Sequence, residues 1–307
     1  MTITQVESVP LVAVVGATGV QGGSVIKALT ESDKPYRIRG FTRDVTKAAA
    51  ETLKKQGVEM VTVNLVVENK EAVYKAFSGA DYAFEVAEGI MLIDAAKAAG
   101  VKGIVWSGLV SVKELSGGKY TKVQQFDGKA VVTAHGRASG VPFATVQAGL
   151  YASSFRTNPM MLAKQPDGTY AIPLIVKPTT VIPIIHMEND YGLYVRRALE
   201  LPAFPDGVDV YTGGENITLG EMARQLSELT GKTVVYKQIP IEEFIKPFLA
   251  LGLPLHIIEA VVEAFQFWEE FGYCGGQIST ASKEGLARLP QTWAEFVKSA
   301  DWSKALA

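Results

Sequence analysis

The chain has 307 residues, 48% of them hydrophobic and 20% charged, a balance typical of a globular protein with a substantial core. The net charge of −2, without a basic stripe, argues against direct nucleic-acid binding. One cysteine, Cys274, excludes a disulfide within the chain, and three widely spaced histidines make a metal site unexpected, so we expect no bound metal.

No apolar run approaches the ~20 residues that a membrane-spanning helix needs. The segment Met1-Thr2-Ile3-Thr4-Gln5 has neither the charged nor the apolar part of a secretory signal. We therefore expect no membrane association and a cytoplasmic protein, with the nucleus as an alternative location.

From residue 11 to about residue 150, apolar strands alternate with helical segments. The predicted strands are Leu11–Val15, Tyr36–Thr42, Glu59–Val63, Tyr82–Val86, Gly103–Ser107 and Phe143–Ala148, and the predicted helices are Gln21–Thr30, Thr46–Gln56, Asn69–Phe77, Gly89–Ala99 and Gln125–Ser139. This alternation predicts an α/β fold, a doubly wound parallel Rossmann sheet with its ligand at the carboxyl edge. Residues 1–150 are thus predicted to form a nucleotide-binding domain.

After residue 150 the pattern changes, because prolines repeatedly interrupt the periodicity. We expect residues 151–307 to form a smaller, loop-rich α+β region that meets a substrate or partner. Its predicted helices are Asp190–Leu199, Thr218–Thr230 and Ile257–Phe271, and its predicted strands are Val208–Thr212 and Thr233–Gln238. The aromatic residues of the last helix predict a core or dimer face rather than a ligand site.

The end of the first predicted strand runs directly into a glycine-rich turn. Gly16 permits a tight turn, Gly19 lets the backbone approach a pyrophosphate, and Gly22 lets the following helix pack on the strand. The helix start then offers free N–H groups and a favourable dipole to an anion. The predicted phosphate-binding residues of this turn are Gly16, Ala17, Thr18, Gly19, Val20, Gln21 and Gly22.

The residue after the second strand indicates which dinucleotide binds. A carboxylate there accepts from the ribose 2′-OH of NAD, whereas an arginine pairs with the 2′-phosphate of NADP. Here Arg43 stands at this position and Lys47 follows one turn later, while Asp44 is one residue late and is a candidate helix cap. We therefore predict that the cofactor is NADP(H) rather than NAD(H).

Several segments resemble the NmrA-like family of atypical short-chain dehydrogenase/reductases, and the likeness covers nearly the whole chain. It is closest to the NADP-sensing members of that family. The segments that carry it are Val14–Val25, Val105–Leu109, Gln125–Lys129, Gly149–Phe155 and Leu289–Phe296. The resemblance implies a Rossmann fold, bound NADP(H), and either redox sensing through protein contacts or reduction of a substrate.

The resemblance also places further residues beside the cofactor. These are Asn64 and Leu65 after the third strand, Val86 after the fourth, Ser107 at the end of the fifth, and Lys129, Tyr151 and Ser154. The chain departs from the family at two of them, since Asn64 replaces an aspartate and Ser154 an asparagine.

A third departure is the connector after Val86, which is shorter than in the family, where it passes the nicotinamide. Either this chain has lost that wall of the site, or the gene model skipped a segment.

The catalytic Tyr-x-x-x-Lys pair of short-chain dehydrogenases is incomplete. Gln125, which cannot act as an acid, stands four residues before Lys129, and Tyr120 lies too far back. Lys129 is the candidate ribose ligand or general acid, and Tyr151 the second candidate.

Three functions stay open at this point. The first is an NADP(H)-binding redox sensor that contacts a protein partner. The second is an NADPH-dependent reductase of a small apolar carbonyl, enone or imine, with a pocket from residues 150–190 and 245–275. The third is a cofactor-free scaffold. The protein is expected to be a monomer or a homodimer.

Overall fold

The computed structural model describes residues 3–86, 89–277 and 283–307. The short connector after Val86 includes residues 87 and 88, so that part of the chain lies outside the described residues. Among the described helices, none is both long enough and apolar enough to cross a membrane.

From residue 11 to about residue 150, the strands and the longer helices follow one another in the predicted order. The strands are β1 Leu11–Val14, β2 Arg37–Thr42, β3 Glu59–Thr62, β4 Tyr82–Glu85, β5 Gly103–Gly108, β6 Phe143–Gln147, β7 Leu150–Tyr151, β8 Ala163–Lys164, β9 Tyr170–Leu174, β10 Val181–Ile185, β11 Asp209–Tyr211, β12 Glu215–Thr218 and β13 Val234–Gln238. The helices are α1 Val20–Thr30, α2 Ala48–Lys55, α3 Lys70–Phe77, α4 Gly89–Ala98, α5 Val112–Leu115, α6 Gln124–Ala138, α7 Ser154–Thr157, α8 Met187–Glu200, α9 Leu219–Thr230, α10 Ile241–Ala250, α11 Leu255–Phe271 and α12 Trp293–Ser299, and a 3-10 turn spans Val67–Asn69.

A seven-stranded sheet in the order β11-β6-β5-β4-β1-β2-β3 forms the centre of the molecule. All of its strand pairs are parallel. The order reverses between β1 and β4, which creates a crevice at the carboxyl ends of these two strands. The predicted doubly wound Rossmann sheet is therefore confirmed.

Both faces of this sheet are buried, as the continuous apolar strands predict. Val12 and Val14 of β1 pack into one core with residues of α1 and α8. Leu11 and Ala13 pack into a second core on the opposite face, with residues of α3 and α4. The strand that leads into the glycine turn is thus held rigidly from both sides.

Helices α1 and α8 cross closely at Gly192. A Cβ atom at this position would lie only 2.0 Å from the backbone oxygen of Ser24, and the Gly192 N–H donates to Ser24 Oγ at 2.9 Å. Helix α8 and strand β11 both come from the region after residue 150, yet they pack on and extend the central sheet.

Two small sheets lie in the C-terminal region, in the orders β12-β10-β7 and β13-β9-β8. A third core lies there, and it contains Phe265, Phe267 and Trp268 of α11. The aromatic stripe of this helix is therefore largely core, as predicted.

The sequence analysis missed several C-terminal elements because they contain proline. Helix α10 carries Pro247 in its interior, and β10 carries Pro183 opposite Asn216. An interior proline removes one backbone donor, which is why its presence predicts a break. Here the hydrophobic partners of these segments outweigh that local cost.

Candidate nucleotide-binding cleft

The glycine turn lies at the switch point of the central sheet and has the backbone that its sequence predicts. Gly16 adopts a φ of +66°, a left-handed conformation that side chains disfavour. A Cβ atom at Gly22 would lie 2.2 Å from the Gly16 oxygen, whereas one at Gly19 would lie 3.2 Å from it. Gly22 is therefore needed for packing, whereas Gly19 is exposed and a Cβ atom there would make a tight but less severe contact.

Helix α1 begins directly behind this turn. Its N-cap is Gly19, which offers no side chain to satisfy the first N–H groups of the helix. Thr18, Gly19 and Val20 are exposed, while Ala17 and Gln21 are buried. The turn therefore presents uncapped backbone donors and the positive end of the helix dipole at the crevice.

Arg43 is exposed immediately after β2, on the same edge of the sheet. Its neighbour Asp44 is not the cap of α2, because the N-cap of that helix is Lys47. Instead, Asp44 Oδ1 accepts from the N–H and hydroxyl of Thr46 at 2.9 and 2.6 Å, and these bonds lower the pKa of Asp44. The carboxylate next to Arg43 in the sequence, that of Asp44, is therefore hydrogen-bonded to Thr46.

On the predicted nicotinamide side of the cleft, Lys129 and Ser107 make hydrogen bonds within the protein. Lys129 Nζ donates to the backbone oxygens of Val86 at 3.1 Å and Ser107 at 2.5 Å, and it lies 4.4 Å from the ring centroid of Trp106. Ser107 Oγ donates to Oε1 of the buried Gln21 at 3.0 Å. These residues join the ends of β4 and β5 to the start of α1.

Burial lowers the pKa of Lys129 to about 8. Two carbonyl acceptors and an aromatic face favour the ammonium form, whereas desolvation opposes it. The amine is therefore largely protonated at neutral pH yet able to release its proton.

The two possible tyrosines differ from this lysine. Burial, with a contribution from Glu188, raises the pKa of Tyr151 to about 12. Tyr120 is buried elsewhere, where its hydroxyl donates to Glu270 Oε2 at 2.7 Å. Of the predicted proton donors, Lys129 therefore has the pKa closest to neutrality.

The remaining predicted cofactor residues lie at the ends of other elements. Asn64 is exposed beyond β3, and its backbone oxygen accepts from Asn69 Nδ2 at 3.0 Å. Leu65 packs on the second core, and Ser154 begins α7. Val86 borders the glycine turn, because its Cγ1 would lie 3.2 Å from a Cβ atom at Gly16.

Glu85 is a residue of this region that the sequence analysis missed. It is fully buried, and neither carboxylate oxygen has a hydrogen-bond partner among the described residues. Burial, with a smaller effect of Asp94, raises its pKa well above the usual value. The available signal in the sequence was a glutamate at the end of an otherwise apolar strand, because glutamates are rarely buried without a partner.

Comparison with known proteins agrees with this architecture. The model of the NmrA-like family matches residues 9–297. The chain belongs to the NmrA-like family. Among its relatives is an NAD(P)H azoreductase of Xenophilus azovorans, 26% identical over 94% of this chain and 97% of the relative. Another is the NmrA-like family domain-containing oxidoreductase malD of Malbranchea aurantiaca, 28% identical over 75% of each chain.

Solved structures share the fold at lower sequence identity. NmrA, a negative transcriptional regulator in complex with NADP, superposes with a TM-score of 0.76 at 22% identity, over 95% of each chain. The NADPH-dependent quinone oxidoreductase QOR2 of Escherichia coli superposes with a TM-score of 0.75 at 21% identity, over 93% of this chain and 98% of its own. Members of this fold thus include both a regulator and an enzyme.

Proposed function

We propose that this NmrA-like protein binds NADP(H) in the cleft between β1 and β4 and senses its redox state through contacts with a protein partner, without turnover. Complexes of the NmrA regulator with NADP and with NAD support a nicotinamide dinucleotide as the ligand. Substrate reduction is the second candidate, and each candidate rests on a different feature of the cleft.

The glycine turn and Arg43 fit a phosphorylated dinucleotide. The exposed backbone at Gly19 and the uncapped first turn of α1 would hold the pyrophosphate. Arg43 and Lys47 are exposed where a 2′-phosphate would lie, and no carboxylate is free at the ribose position. These features favour NADP over NAD.

The internal contacts of Lys129 and Ser107 carry the sensor proposal. A reductase must offer hydrogen-bonding groups to the nicotinamide ribose and a proton to its substrate. Here two of the three N–H donors of the Lys129 ammonium go to backbone oxygens, and the Ser107 hydroxyl donates to Gln21, which leaves fewer donors for the nicotinamide ribose. Most of the affinity would then come from the adenosine and pyrophosphate half of the ligand.

A reductase of a small carbonyl, enone or imine is favoured by the position of Lys129 between the ends of β4 and β5, where burial also lowers its pKa to about 8. The bound cofactor would supply hydride in such a reaction. Lys129 would hold the proton at Nζ and deliver it to the reduced atom, a role that a pKa near the working pH suits. The names of the azoreductase and quinone oxidoreductase relatives support this candidate.

The predicted substrate region does contain a cavity. It measures about 390 Å³ and is lined by residues such as Ile175, Lys177, Ile241 and Glu269. None of the predicted cofactor residues lines it. Its place in the fold therefore favours neither candidate.

One experiment separates the two candidates. Purified protein is first tested for NADPH oxidation against a panel of aldehydes, ketones, enones, imines and quinones. It is then subjected to limited proteolysis with NADPH and with NADP. A sensor gives no turnover but a different cleavage pattern with NADPH and with NADP. Such a difference requires that the two redox forms bind the conformations of the protein with different affinities. Turnover that Lys129→Met abolishes would support the reductase and contradict the sensor.

A further inference from the structure

We propose a second small-molecule site, beside α6 and apart from the glycine turn, that binds an organic ammonium ion carried on a small apolar body. It goes beyond the proposed function and does not depend on it. The site is a pocket of about 810 Å³ between α6, the ends of β6 and β11, and the segment around Cys274. This volume lies within the usual range for small-molecule sites.

The pocket lies mainly on a face of α6 other than the one that carries Lys129, although Thr133, one turn from Lys129, also lines it. Asp127, Val131 and Ala134 line it, and their spacing of four and then three residues places them on one helix face. Lys129 is two residues from both Asp127 and Val131, which puts it roughly 200° around the helix. It points instead to the ends of β4 and β5.

The floor of the pocket contains an unsatisfied acceptor. Gln147, at the end of β6, is only 4% exposed. Its Nε2 donates to Asp209 Oδ1 at 3.0 Å, which fixes the orientation of the amide, and Oε1 has no partner in the described part of the chain. A buried acceptor of this kind costs free energy until a donor reaches it. The missing group is therefore an N–H or O–H donor.

The charges around this floor favour a cation. Three carboxylates and two cationic side chains line the pocket, which leaves a net negative charge: Glu114, Asp127, Asp209, Lys113 and Arg137. Arg137 already donates to Asp209 Oδ2 at 2.7 Å. Asp127 Oδ1 accepts from Ser111 Oγ and the Lys113 N–H at 3.2 and 3.0 Å. With Asp209 paired to Arg137, the remaining lining charges are those of Glu114, Asp127 and Lys113, and their net negative charge suits an ammonium ion better than a carboxylate.

Apolar side chains complete the walls. Val131 is 60% exposed and Leu115 is 44% exposed, and both line the pocket with Leu109 and Val110. A ligand with an apolar body would cover them while its ammonium group reaches Gln147 Oε1. The chemical class is therefore a small amphipathic amine.

Tyramine is a suitable probe, with 4-hydroxyphenylacetate and 4-ethylphenol as anionic and neutral analogues of similar shape. Binding to the full chain is measured by calorimetry, with and without saturating NADPH. We expect tyramine to bind at least about tenfold more tightly than either analogue, the scale of one hydrogen bond to a charged group. NADPH should leave this affinity unchanged.

Two variants locate the site. Gln147→Met removes the acceptor at similar size and should weaken tyramine binding by about tenfold. Gln225→Met is its control, since Gln225 Oε1 is also buried without a partner among the described residues but lies on α9. Val131→Lys adds a cation to the wall and should weaken binding about fivefold. Its control is Val235→Lys, at an exposed valine of β13.

Three results would refute the proposed second site. Tyramine that binds no more tightly than 4-ethylphenol refutes the charge argument, and displacement of tyramine by NADPH places it in the nucleotide cleft. Unchanged tyramine binding in Val131→Lys refutes the location, even where Gln147→Met fails to fold. Failure of the parent protein to bind NADPH would refute the proposed function alone.

Discussion

Replacing Glu85 should stabilise the protein, and the gain should grow with pH. The carboxyl is fully buried at the end of β4 and has no hydrogen-bond partner among the described residues. An unsatisfied buried polar group costs about 1–3 kcal/mol even when it is neutral. Glu85→Leu removes that cost and keeps the strand apolar, so we expect a gain in the free energy of unfolding of about this size at pH 4–5.

The pH dependence follows from the raised pKa of Glu85. The folded protein keeps the proton above pH 4.5, where the unfolded chain loses it. The stability linked to this proton is therefore complete below pH 4.5 and is lost as pH rises toward the folded-state pKa. The loss reaches at most about 1.4 kcal/mol per pH unit.

Urea unfolding at pH 4.5, 5.5, 6.5 and 7.5 measures this dependence. Glu85→Gln is the decisive variant, because it keeps the shape and polarity but cannot ionise. The difference in unfolding free energy between Glu85→Gln and the parent should widen as pH rises, while the m-value, the slope of the unfolding free energy against urea concentration, stays the same. Glu68→Gln, at an exposed position, is the control and should run parallel to the parent.

Parallel pH profiles for the parent and Glu85→Gln would refute this reasoning. They would mean that Glu85 ionises in the folded state at its ordinary pKa, and hence that it reaches water or a partner. A lower stability of Glu85→Leu than of the parent at every pH would contradict the unsatisfied burial itself.

Four further predictions concern the cleft. Arg43→Ala should erase most of a preference for NADP over NAD, by about 1.5–3 kcal/mol in calorimetry, and equal affinities in the parent would contradict the role of Arg43. Gly19→Val should fold by circular dichroism but not bind NADP. Gly22→Val should fail to fold, since its Cβ would lie 2.2 Å from a backbone oxygen. Normal NADP binding by Gly19→Val would show that the pyrophosphate does not lie at Gly19. The fragment 2′-phospho-ADP-ribose should bind nearly as well as NADP if the nicotinamide contacts are weak, and a large advantage of NADP would show otherwise. Any NADPH turnover should fall by at least ~10²-fold in Lys129→Met, and turnover that survives would make Tyr151 the next candidate.

The amino-acid sequence by itself determined the central fold and the glycine turn. The strands from β1 to β6, with α1 to α4 and α6, follow from the alternation of apolar strand and helix patterns, a local signal that the parallel sheet then buries on both faces. The conformation of Gly16 and the close packing at Gly22 are likewise local, because they join one strand to the next helix. The expected site of Arg43 followed from its position after β2.

Only the tertiary structure decided which distant groups meet. It brings α8 against α1 and β11 beside β6, and it accommodates the prolines of α10 and β10 that local rules count as breaks. It also turns Lys129 toward two backbone oxygens and leaves the oxygens of Glu85 and Gln147 Oε1 without partners among the described residues. Such facts depend on side chains and carbonyls far apart in sequence, whose burial and hydrogen bonding arise only when the chain is packed.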